Sequence, residues 1–548
     1  MTRDDWMRNL RQCGTPIVYL LACAAALVVF LVLVKAQIDK NPLRADEVDY
    51  YQSMQNVLSL GLPLYYAGEA NVDPDWLIHL STQVLDGRQF EFYRFRPETG
   101  VLKETFFALT NGHSRYTYGM WHPPLYIYLG ALFLRLAPLT VETSASLRYF
   151  NLIFSIGTFA GMVVLSRELY RHRLGPTLAL AVVLYVLNSL AIRGTILIDY
   201  NATLGPCVAV WFAIAYLRSE RRNCLHMGLG LLTALAFFTG LGIGLALLAG
   251  TLAYIVIVGR INRPWRARAS IGIGFLAFFP LFLAFSRLLG LPFSQPFLHN
   301  LQRAGARLDL TALAAKASAA IEYSTGFYSR EVGYPAILLG TGLLTRFLVE
   351  RQAFRTPQRL FIPIMLVVGF LMQGSLRADA YGFPKYILFL LPLLFVYLAG
   401  EVLDVLSTAS SSRLGKTVAG VALVAVIVVQ IGTSIAALNR PGGTLYFAGE
   451  QGIAAAGQRL SALTAADETI MSPKDVAFFA RRKFVQWYGT PLIDIRFLQS
   501  RLAAEHIRYV ASSTAMLNTA SPDVATYLRT AFAIEAQDDD FRVWRAVP

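Results

Sequence analysis

The sequence predicts an all-α polytopic membrane bundle of about eleven transmembrane helices plus interfacial helices, followed by a small C-terminal α/β domain. Two observations carry this prediction. The 548-residue chain is 55% hydrophobic and only 15% charged, with a mean hydropathy of +0.48, whereas soluble globular proteins are about 25% charged. Apolar runs of about 20 residues, long enough to cross a bilayer, recur as far as residue 437, with arginine-rich loops between them.

The apolar runs give the predicted spans in order. The first run is too long for the core of a signal peptide and lacks a small-x-small cleavage site, so we expect it to be retained. The run 226–259 exceeds one crossing and is divided near Thr239. The predicted spans are 16–36, 146–166, 176–193, 200–217, 226–240, 242–259, 269–289, 332–349, 359–375, 383–401 and 416–437.

Basic residues set the predicted orientation. With the N-terminus inside, every loop that faces the cytoplasm is basic, as the positive-inside rule requires. The net charge of +14 lies largely in these loops, so it does not indicate a nucleic-acid partner. The loops hold Arg3, Arg8 and Arg11; Arg167, Arg171 and Arg173; Arg218, Arg221 and Arg222; Arg260, Arg263, Arg266 and Arg268; Arg351, Arg355 and Arg359; and Arg413 and Lys416.

One apolar segment must stay out of the membrane for this orientation to hold. The segment 122–136 has a helical pattern but is short, and a crossing there would turn the later basic loops outward. We therefore predict a helix in the outer interface, opened by Pro123 and Pro124 in its first turn. Three regions then face outward: the long first loop 37–121, the short loop 194–199 and the segment 291–331.

A change in composition near residue 441 predicts a second domain. Apolar runs shorten and charges return, which divides the chain into a membrane domain at 1–440 and an α/β domain at 441–548. With an odd number of spans, this domain is extracytoplasmic. The pattern predicts an amphipathic helix at 449–463, strands at 469–471, 507–511, 532–535 and 542–546, and a hairpin turn at 538–540.

Two adjacent carboxylates, Asp46 and Glu47, follow the first span by about ten residues. Asp46 could cap a helix at 47–60, with Glu47 favoured in its first turn. The pair could also supply a general base or an orienting acid at the bilayer surface. The two interpretations are compatible, because a capped helix can still present a carboxylate to a substrate.

Other outward-facing residues are weaker candidates individually. His122, before the proline-opened helix, is either structural or a contact for an anionic headgroup. Asp199, which follows a span containing Arg193, is either a solvated cap or a functional acid. Lys385 lies on the outer side against the charge bias, so it either snorkels or pairs with a phosphate. Tyr50 is among the outer-loop aromatics that could stack on a sugar.

The order of these short motifs resembles the GT-C superfamily of integral-membrane glycosyltransferases. It is most similar to the bacterial dolichyl-phosphate-mannose-protein mannosyltransferase-like and aminoarabinose-transferase-like branch. The resemblance covers roughly residues 10–440. Its motifs are Ala45-Asp46-Glu47 with Tyr50 and Tyr51, His122-Pro-Pro-Leu-Tyr126, Asp199, and Phe383-Pro-Lys385-Tyr386-Ile-Leu-Phe-Leu-Leu-Pro392.

The resemblance implies a multi-pass bacterial inner-membrane enzyme that transfers a sugar from a polyprenyl-phosphate donor with inversion. The acceptor hydroxyl could belong to a protein, a lipid or a polysaccharide. Asp46 would then be the base, Glu47 an orienting acid and Asp199 the second outer-loop acid. The implied substrate-binding residues are His122 and Lys385, which would hold the phosphate, with Tyr386, Arg193 and Tyr50.

The sequence departs from the family pattern in several places. An insertion at about 71–110 separates the acid pair from the proline-opened helix, and Lys385 stands where many relatives have arginine. No cofactor is expected, although Asp46, Glu47 and Asp199 could ligate Mg²⁺ or Mn²⁺. A transporter or flippase, which would need repeats or broken helices, and a non-catalytic subunit with a partner-binding C-terminal domain are the alternatives.

Overall fold

A computed structural model describes most of the chain. The described residues are 3–38, 42–43, 46–60, 65–66, 87–96, 100–109, 116–118, 124–219, 226–258, 265–288, 357–377, 386–409, 452–487, 494–537 and 541–547, with the single positions 417, 421, 428, 432 and 435.

Helices dominate the described part of the first 440 residues, as the apolar composition predicts, and recur in the C-terminal region. Short 3₁₀ turns occur at Ser144–Leu147, Arg171–Arg173 and Leu388–Leu390. The α-helices are α1 Arg3–Ile38, α2 Asp46–Leu60, α3 Pro124–Leu136, α4 Arg148–Leu169, α5 Leu174–Val186, α6 Ser189–Ile196, α7 Leu204–Ser219, α8 His226–Thr239, α9 Leu241–Val258, α10 Trp265–Leu288, α11 Pro357–Arg377, α12 Leu391–Ala409, α13 Ile453–Leu463, α14 Lys474–Ala480, α15 Ile495–Ala504, α16 Thr514–Thr519 and α17 Pro522–Ala531.

The strands form two sheets. The first loop contributes a four-stranded antiparallel sheet in the order β1-β4-β3-β2, and the C-terminal region a five-stranded sheet in the order β6-β5-β7-β9-β8. The strands are β1 Tyr65–Tyr66, β2 Gly87–Arg96, β3 Gly100–Leu109, β4 Tyr116–Tyr118, β5 Thr469–Ser472, β6 Lys483–Gln486, β7 Tyr509–Ser513, β8 Phe532–Gln537 and β9 Phe541–Ala546.

The chain divides into two compact units. Unit 1 comprises Met1–Gln37, Arg148–Leu281 and Leu298–Leu445. Unit 2 comprises Ile38–Leu147, Phe282–Phe297 and Tyr446–Pro548. The second unit therefore joins the loop that is predicted to face outward, with its acid pair, to the C-terminal residues. The domain boundary expected near residue 440 stays a prediction.

Two helical segments among the described residues are long and apolar enough to cross a membrane. They are Val18–Ile38 and Ser144–Leu169, and the bent pair α5–α6 makes a third if it counts as one span. The other apolar helical segments found among the described residues are 10–17 residues long. The predicted span 332–349 and most of 416–437 lie outside the described residues, so the count of eleven stays a prediction.

Helix α1 has the pattern of a lipid-facing helix. Phe30 and Val34 are buried, and Phe30 packs edge-to-face on Phe159 of α4 at 5.5 Å. On its other side, Leu21 and Val32 are more than 60% exposed. Lipid tails cover such side chains at no hydrophobic penalty, so the exposed face agrees with the predicted first span.

Helices α8 and α10 cross with their backbones in close contact. A Cβ added to Gly230 would lie 2.8 Å from the carbonyl oxygen of Ser270, and one added to Gly274 would lie 2.8 Å from the carbonyl carbon of Gly230. Small residues at such crossings let helices in a membrane approach closely enough for extensive van der Waals contact. The glycines therefore fix the distance between these helices.

Ion pairs join three segments of unit 1 at ends that the sequence assigns to the cytoplasm. Arg359 Nη1 donates to Asp404 Oδ2 at 2.8 Å, and Arg173 Nη1 lies 3.4 Å from Asp404 Oδ1. The hydroxyl of Tyr170 donates to Glu401 Oε1 at 3.0 Å, beneath the guanidinium of Arg359. The basic loops used to assign the orientation thus also bind acids on α12.

The C-terminal region of unit 2 is a three-layer α/β structure. Strands β5, β6 and β7 are parallel, and β9 and β8 extend the sheet antiparallel. Alternate strand residues point to opposite faces: Ile470 and Phe484 pack on the side of α13 and α14, whereas Met471 and Val485 pack on the side of α15 and α17. The predicted helix and four strands are present, and the sequence prediction missed β6. The predicted turn at 538–540 lies outside the described residues.

Candidate active site

Helix α2 carries the acid pair at its first turn. The helix begins at Asp46, where the macrodipole favours negative charge, which confirms the helix predicted at 47–60. Burial is continuous from Glu47 to Tyr51, and Glu47 itself is 3% exposed. Leu58, near the other end, is 45% exposed. Protein therefore encloses the acidic end of the helix.

The proline-opened helix packs directly on α2. Tyr50 and Tyr126 meet edge-to-face with ring centroids 5.5 Å apart. The side chain of Met54 packs against Gly130 of α3, in the space that a Cβ at this position would fill. Helix α3 begins at Pro124 as the Pro-Pro step predicts, and its packing brings Tyr126, the last residue of the second motif, to the helix of the first.

Tyr51 links α2 to two other parts of unit 2. Its hydroxyl donates to the carbonyl oxygen of Leu139 at 2.8 Å and accepts a hydrogen bond from Gln55 Nε2 at 2.8 Å. Its ring packs edge-to-face on Phe478 of α14 at 5.5 Å. Burial, together with the nearby charge of Glu142, raises the pKa of Tyr51 to about 12, so the hydroxyl stays a neutral donor at physiological pH.

An ion pair lies beside Tyr51. Lys474, the first residue of α14, donates to Asp49 Oδ2. The side chain of Asp49 is 8% exposed and that of Lys474 is 24% exposed. Helix α2 therefore contacts the C-terminal α/β structure through both an aromatic ring and a largely buried charge.

In unit 1, a break in the chain positions Arg193 and Asp199. Helices α5 and α6 meet at an angle of 64°, and all eight residues of α6 are buried. Asn188 caps the start of α6, accepting from the amides of Leu190 at 3.0 Å and Ala191 at 3.3 Å. A broken helix at membrane depth requires such partners for its backbone.

A second asparagine caps the other end of α6. Asn151 Nδ2, on α4, donates to the carbonyl oxygens of Thr195 at 2.9 Å and Leu197 at 3.0 Å. Thr203 Oγ1 in turn donates to Asn151 Oδ1 at 3.4 Å. Asn151 thus fixes the chain immediately before Asp199.

Asp199 lies in a tight buried turn and is only 1% exposed. Its Oδ1 accepts from the backbone amide of Asn201 at 2.8 Å and from Asn201 Nδ2 at 2.9 Å. The sequence left open whether Asp199 is a solvated cap. The structure gives it a capping geometry but excludes solvent, because residues 194–199 are all buried.

The segment that begins at Tyr386 packs beside α6. A Cβ added to Gly194 would lie 2.9 Å from Leu388 Cδ1, so the 3₁₀ turn Leu388–Leu390 meets the helix that carries Arg193. Tyr386 is half-buried and Arg193 is 5% exposed. Unit 1 therefore places the motifs around Asp199 and Tyr386 on neighbouring segments.

The predicted site residues fall into two groups by unit. Unit 2 holds Glu47 and Tyr50 on α2 together with the backbone of Asp46, whereas unit 1 holds Arg193, Asp199 and Tyr386. His122, Lys385 and the side chain of Asp46 lie outside the described residues. Among the described residues, no group of three or more His, Cys, Asp or Glu side chains is arranged to hold a metal ion.

The sequence prediction missed several residues that support these segments. Asn151 and Asn188 are polar residues in or beside apolar runs, which is a usable signal because hydrogen-bonding groups in lipid require partners. Asp49 was passed over beside Asp46 and Glu47. Lys474 had no local signal, because its partner lies 425 positions away.

The fold of this chain is similar to that of a solved structure, as the resemblance drawn from the sequence implied. The structure that shows this is the crystal structure of ArnT from Cupriavidus metallidurans bound to undecaprenyl phosphate. It aligns over 96% of this chain and 98% of that chain, with a TM-score of 0.53 and 15% identity. The apo crystal structure of the same ArnT aligns over 96% and 97%, with a TM-score of 0.49 and 14% identity. No family model and no curated protein sequence matches the chain.

Proposed function

We propose that this protein is a glycosyltransferase that moves a sugar from polyprenyl phosphate to an acceptor hydroxyl on the outer face of a bacterial inner membrane. The observation that carries the proposal is the fold match along nearly the whole chain to ArnT, whose crystal structure holds undecaprenyl phosphate. The burial of Glu47, next to the proposed base, supports it, since a base works best where water is excluded.

The proposed reaction is a single displacement. Asp46 takes the proton of the acceptor hydroxyl, and the acceptor oxygen attacks the anomeric carbon on the face opposite the phosphate. The bond between that carbon and the phosphate oxygen breaks, the configuration inverts, and polyprenyl phosphate leaves with the bonding electrons. Lys385 and His122 stabilise the charge that develops on the phosphate.

The remaining site residues hold the substrates. We assign Glu47 to orient the acceptor or the sugar, and Asp199 to the second acidic position. Tyr50 is held by Tyr126 and offers an aromatic face to a sugar ring, while Arg193 and Tyr386 belong to the segments around Asp199. No metal is required for this chemistry, so EDTA is expected to leave turnover unchanged.

The test uses purified full-length protein with a panel of undecaprenyl-phosphate-linked hexoses and pentoses, and cell-envelope fractions as the source of acceptor. Label leaving the lipid and appearing in acceptor material, with release of undecaprenyl phosphate, measures transfer. We expect Asp46→Asn to lower kcat by about 10²–10⁴-fold, the usual contribution of a general base. Glu535→Gln, in strand β8, removes a carboxylate that is 34% exposed and controls for loss of charge.

Two outcomes would contradict the proposal at different levels. Full turnover by Asp46→Asn would remove the assigned base but leave the transfer reaction in place. Absence of transfer by the wild-type protein from every donor in the panel would reject the function itself.

One observation favours the alternative of a transporter or flippase. The bent pair α5–α6 is a broken helix, and broken helices form substrate sites in many transporters. Movement of labelled lipid across proteoliposomes containing the protein, without any new glycosidic bond, is the result that the alternative requires.

A further inference from the structure

The α/β structure presents one particular edge to the acid-pair helix. Lys474 lies two residues after the end of β5, at the carboxyl end of a strand that is parallel to both β6 and β7. In α/β sheets, ligand-binding residues collect at the carboxyl ends of the strands. Here that edge supplies the cation that binds Asp49.

Asp49 lies on the turn of α2 that contains the acid pair. It follows Glu47 by two residues, and both side chains are buried. A buried carboxylate needs a partner, because removal from water penalises its charge. Lys474 is the partner that the structure gives it, so the rotation and depth of the first turn of α2 depend on a residue of the C-terminal region.

Further contacts reinforce the same junction. Phe478, one turn after Lys474, packs on Tyr51 at 5.5 Å, and Arg481 at the end of α14 pairs with Glu142. The carboxylate of Glu142 and the guanidinium of Arg481 are both more than half exposed, and such pairs contribute little. The buried charge of Asp49 is therefore the contact that demands a specific geometry.

We propose that Lys474 is a positioning residue for the acid pair, and that the C-terminal α/β region is a working part of the active site. By binding Asp49, Lys474 holds the first turn of α2 in the orientation in which Asp46 and Glu47 act. The kinetic consequence of this proposal rests on the proposed function, whereas the effect of Lys474 on the structure of α2 does not.

The structural test measures hydrogen exchange in the full-length protein. Lys474→Met is expected to speed exchange of the amides in the first two turns of α2, while β5, β7 and β9 stay protected. Lys474→Arg should exchange like the wild type, since it keeps the charge. Arg508→Met is the matched control, because it breaks an ion pair of 2.9 Å with Glu468 in the same region.

The kinetic test uses the transfer assay above. We expect Lys474→Met to lower kcat by on the order of 100-fold, as displacement of a catalytic group by about 1 Å can do, with an unchanged KM for the lipid donor. Exchanging the charges in the double variant Asp49→Lys, Lys474→Asp should restore part of kcat. A residue that served only stability would lower the amount of folded enzyme but not the kcat of the folded fraction.

The outcomes separate the two proposals. Wild-type exchange in α2 of Lys474→Met would overturn the positioning role whatever the enzyme does. Wild-type kcat in Lys474→Met, with an active wild-type enzyme, would overturn it as well. Failure of the wild-type protein to transfer any sugar would reject the proposed function, while the exchange measurement would still decide whether Lys474 orders α2.

Discussion

The crossing of α8 and α10 leaves no room for a side chain at Gly274. A Cβ there would lie 2.8 Å from the carbonyl carbon of Gly230 and 2.9 Å from its Cα, with the carbonyl oxygen closer still. Carbon atoms in good contact are about 3.5–4.0 Å apart, so Gly274→Ala must move the helices apart by about 1 Å. Backbone atoms, unlike a flexible side chain, cannot turn aside.

Gly272 provides an internal control on the same helix, because nothing lies within 4 Å of a Cβ built there. Both substitutions gain the same helix propensity, about 1 kcal/mol for glycine to alanine, so this gain cancels in the comparison. The difference between the variants is the overpacking term, typically about 1–3 kcal/mol. We expect Gly274→Ala to be less stable than Gly272→Ala by that amount.

The assay is unfolding of the purified proteins in mixed detergent and SDS micelles, followed by tryptophan fluorescence. Gly272→Ala should unfold at or slightly above the SDS fraction of the wild type, and Gly274→Ala clearly below it. Equal stability of the two alanine variants would refute the backbone contact between α8 and α10.

Two further predictions concern the supports of the site. Asn151→Leu keeps the size of the side chain but leaves the carbonyl groups of Thr195 and Leu197 without their donor. The loss should cost about 1–3 kcal/mol of stability per buried group and lower transfer through Asp199. An unfolding midpoint equal to that of the wild type would contradict this prediction. Tyr51→Phe removes both neutral hydrogen bonds of the hydroxyl, the one donated to Leu139 and the one accepted from Gln55, each worth about 1 kcal/mol. The raised pKa of Tyr51, about 12 against an ordinary value of 10, means that this contribution is fully present below about pH 10 and is lost as pH rises through about 12. Unfolding curves of the wild type and Tyr51→Phe should therefore converge at high pH, and a constant difference would contradict the assignment.

Local signals were sufficient where a segment determines its own structure. Adjacent carboxylates at a helix start predicted α2, and the Pro-Pro step predicted the start of α3. Alternating apolar residues predicted four of the five C-terminal strands. The missed strand, β6, is short and follows Arg481, which has a positive φ of 53° in a tight turn that ends α14. Its position depends on pairing with β5, and its own residues do not predict that contact.

Distant contacts account for the remaining differences. The break between α5 and α6 has no proline beside it and is capped by Asn188, while Asn151 from another helix binds the far end of α6. The sequence pattern places Asp199 in a loop, yet the residue is only 1% exposed. Asp49 and Lys474 pair across 425 positions of sequence. The residues around each of them resemble those around an ordinary surface charge.

The two asparagine caps of α6 also impose an order on how the protein assembles. Asn188 lies beside the helix that it caps, but Asn151 precedes Thr195 by 44 positions and is synthesised first. An eight-residue helix is too short to persist alone, and its last carbonyls cannot be left bare in lipid. The chain around Asp199 can therefore reach its final shape only once α4 is inserted beside it. When α6 leaves the ribosome, α4 and its donor Asn151 have already been synthesised.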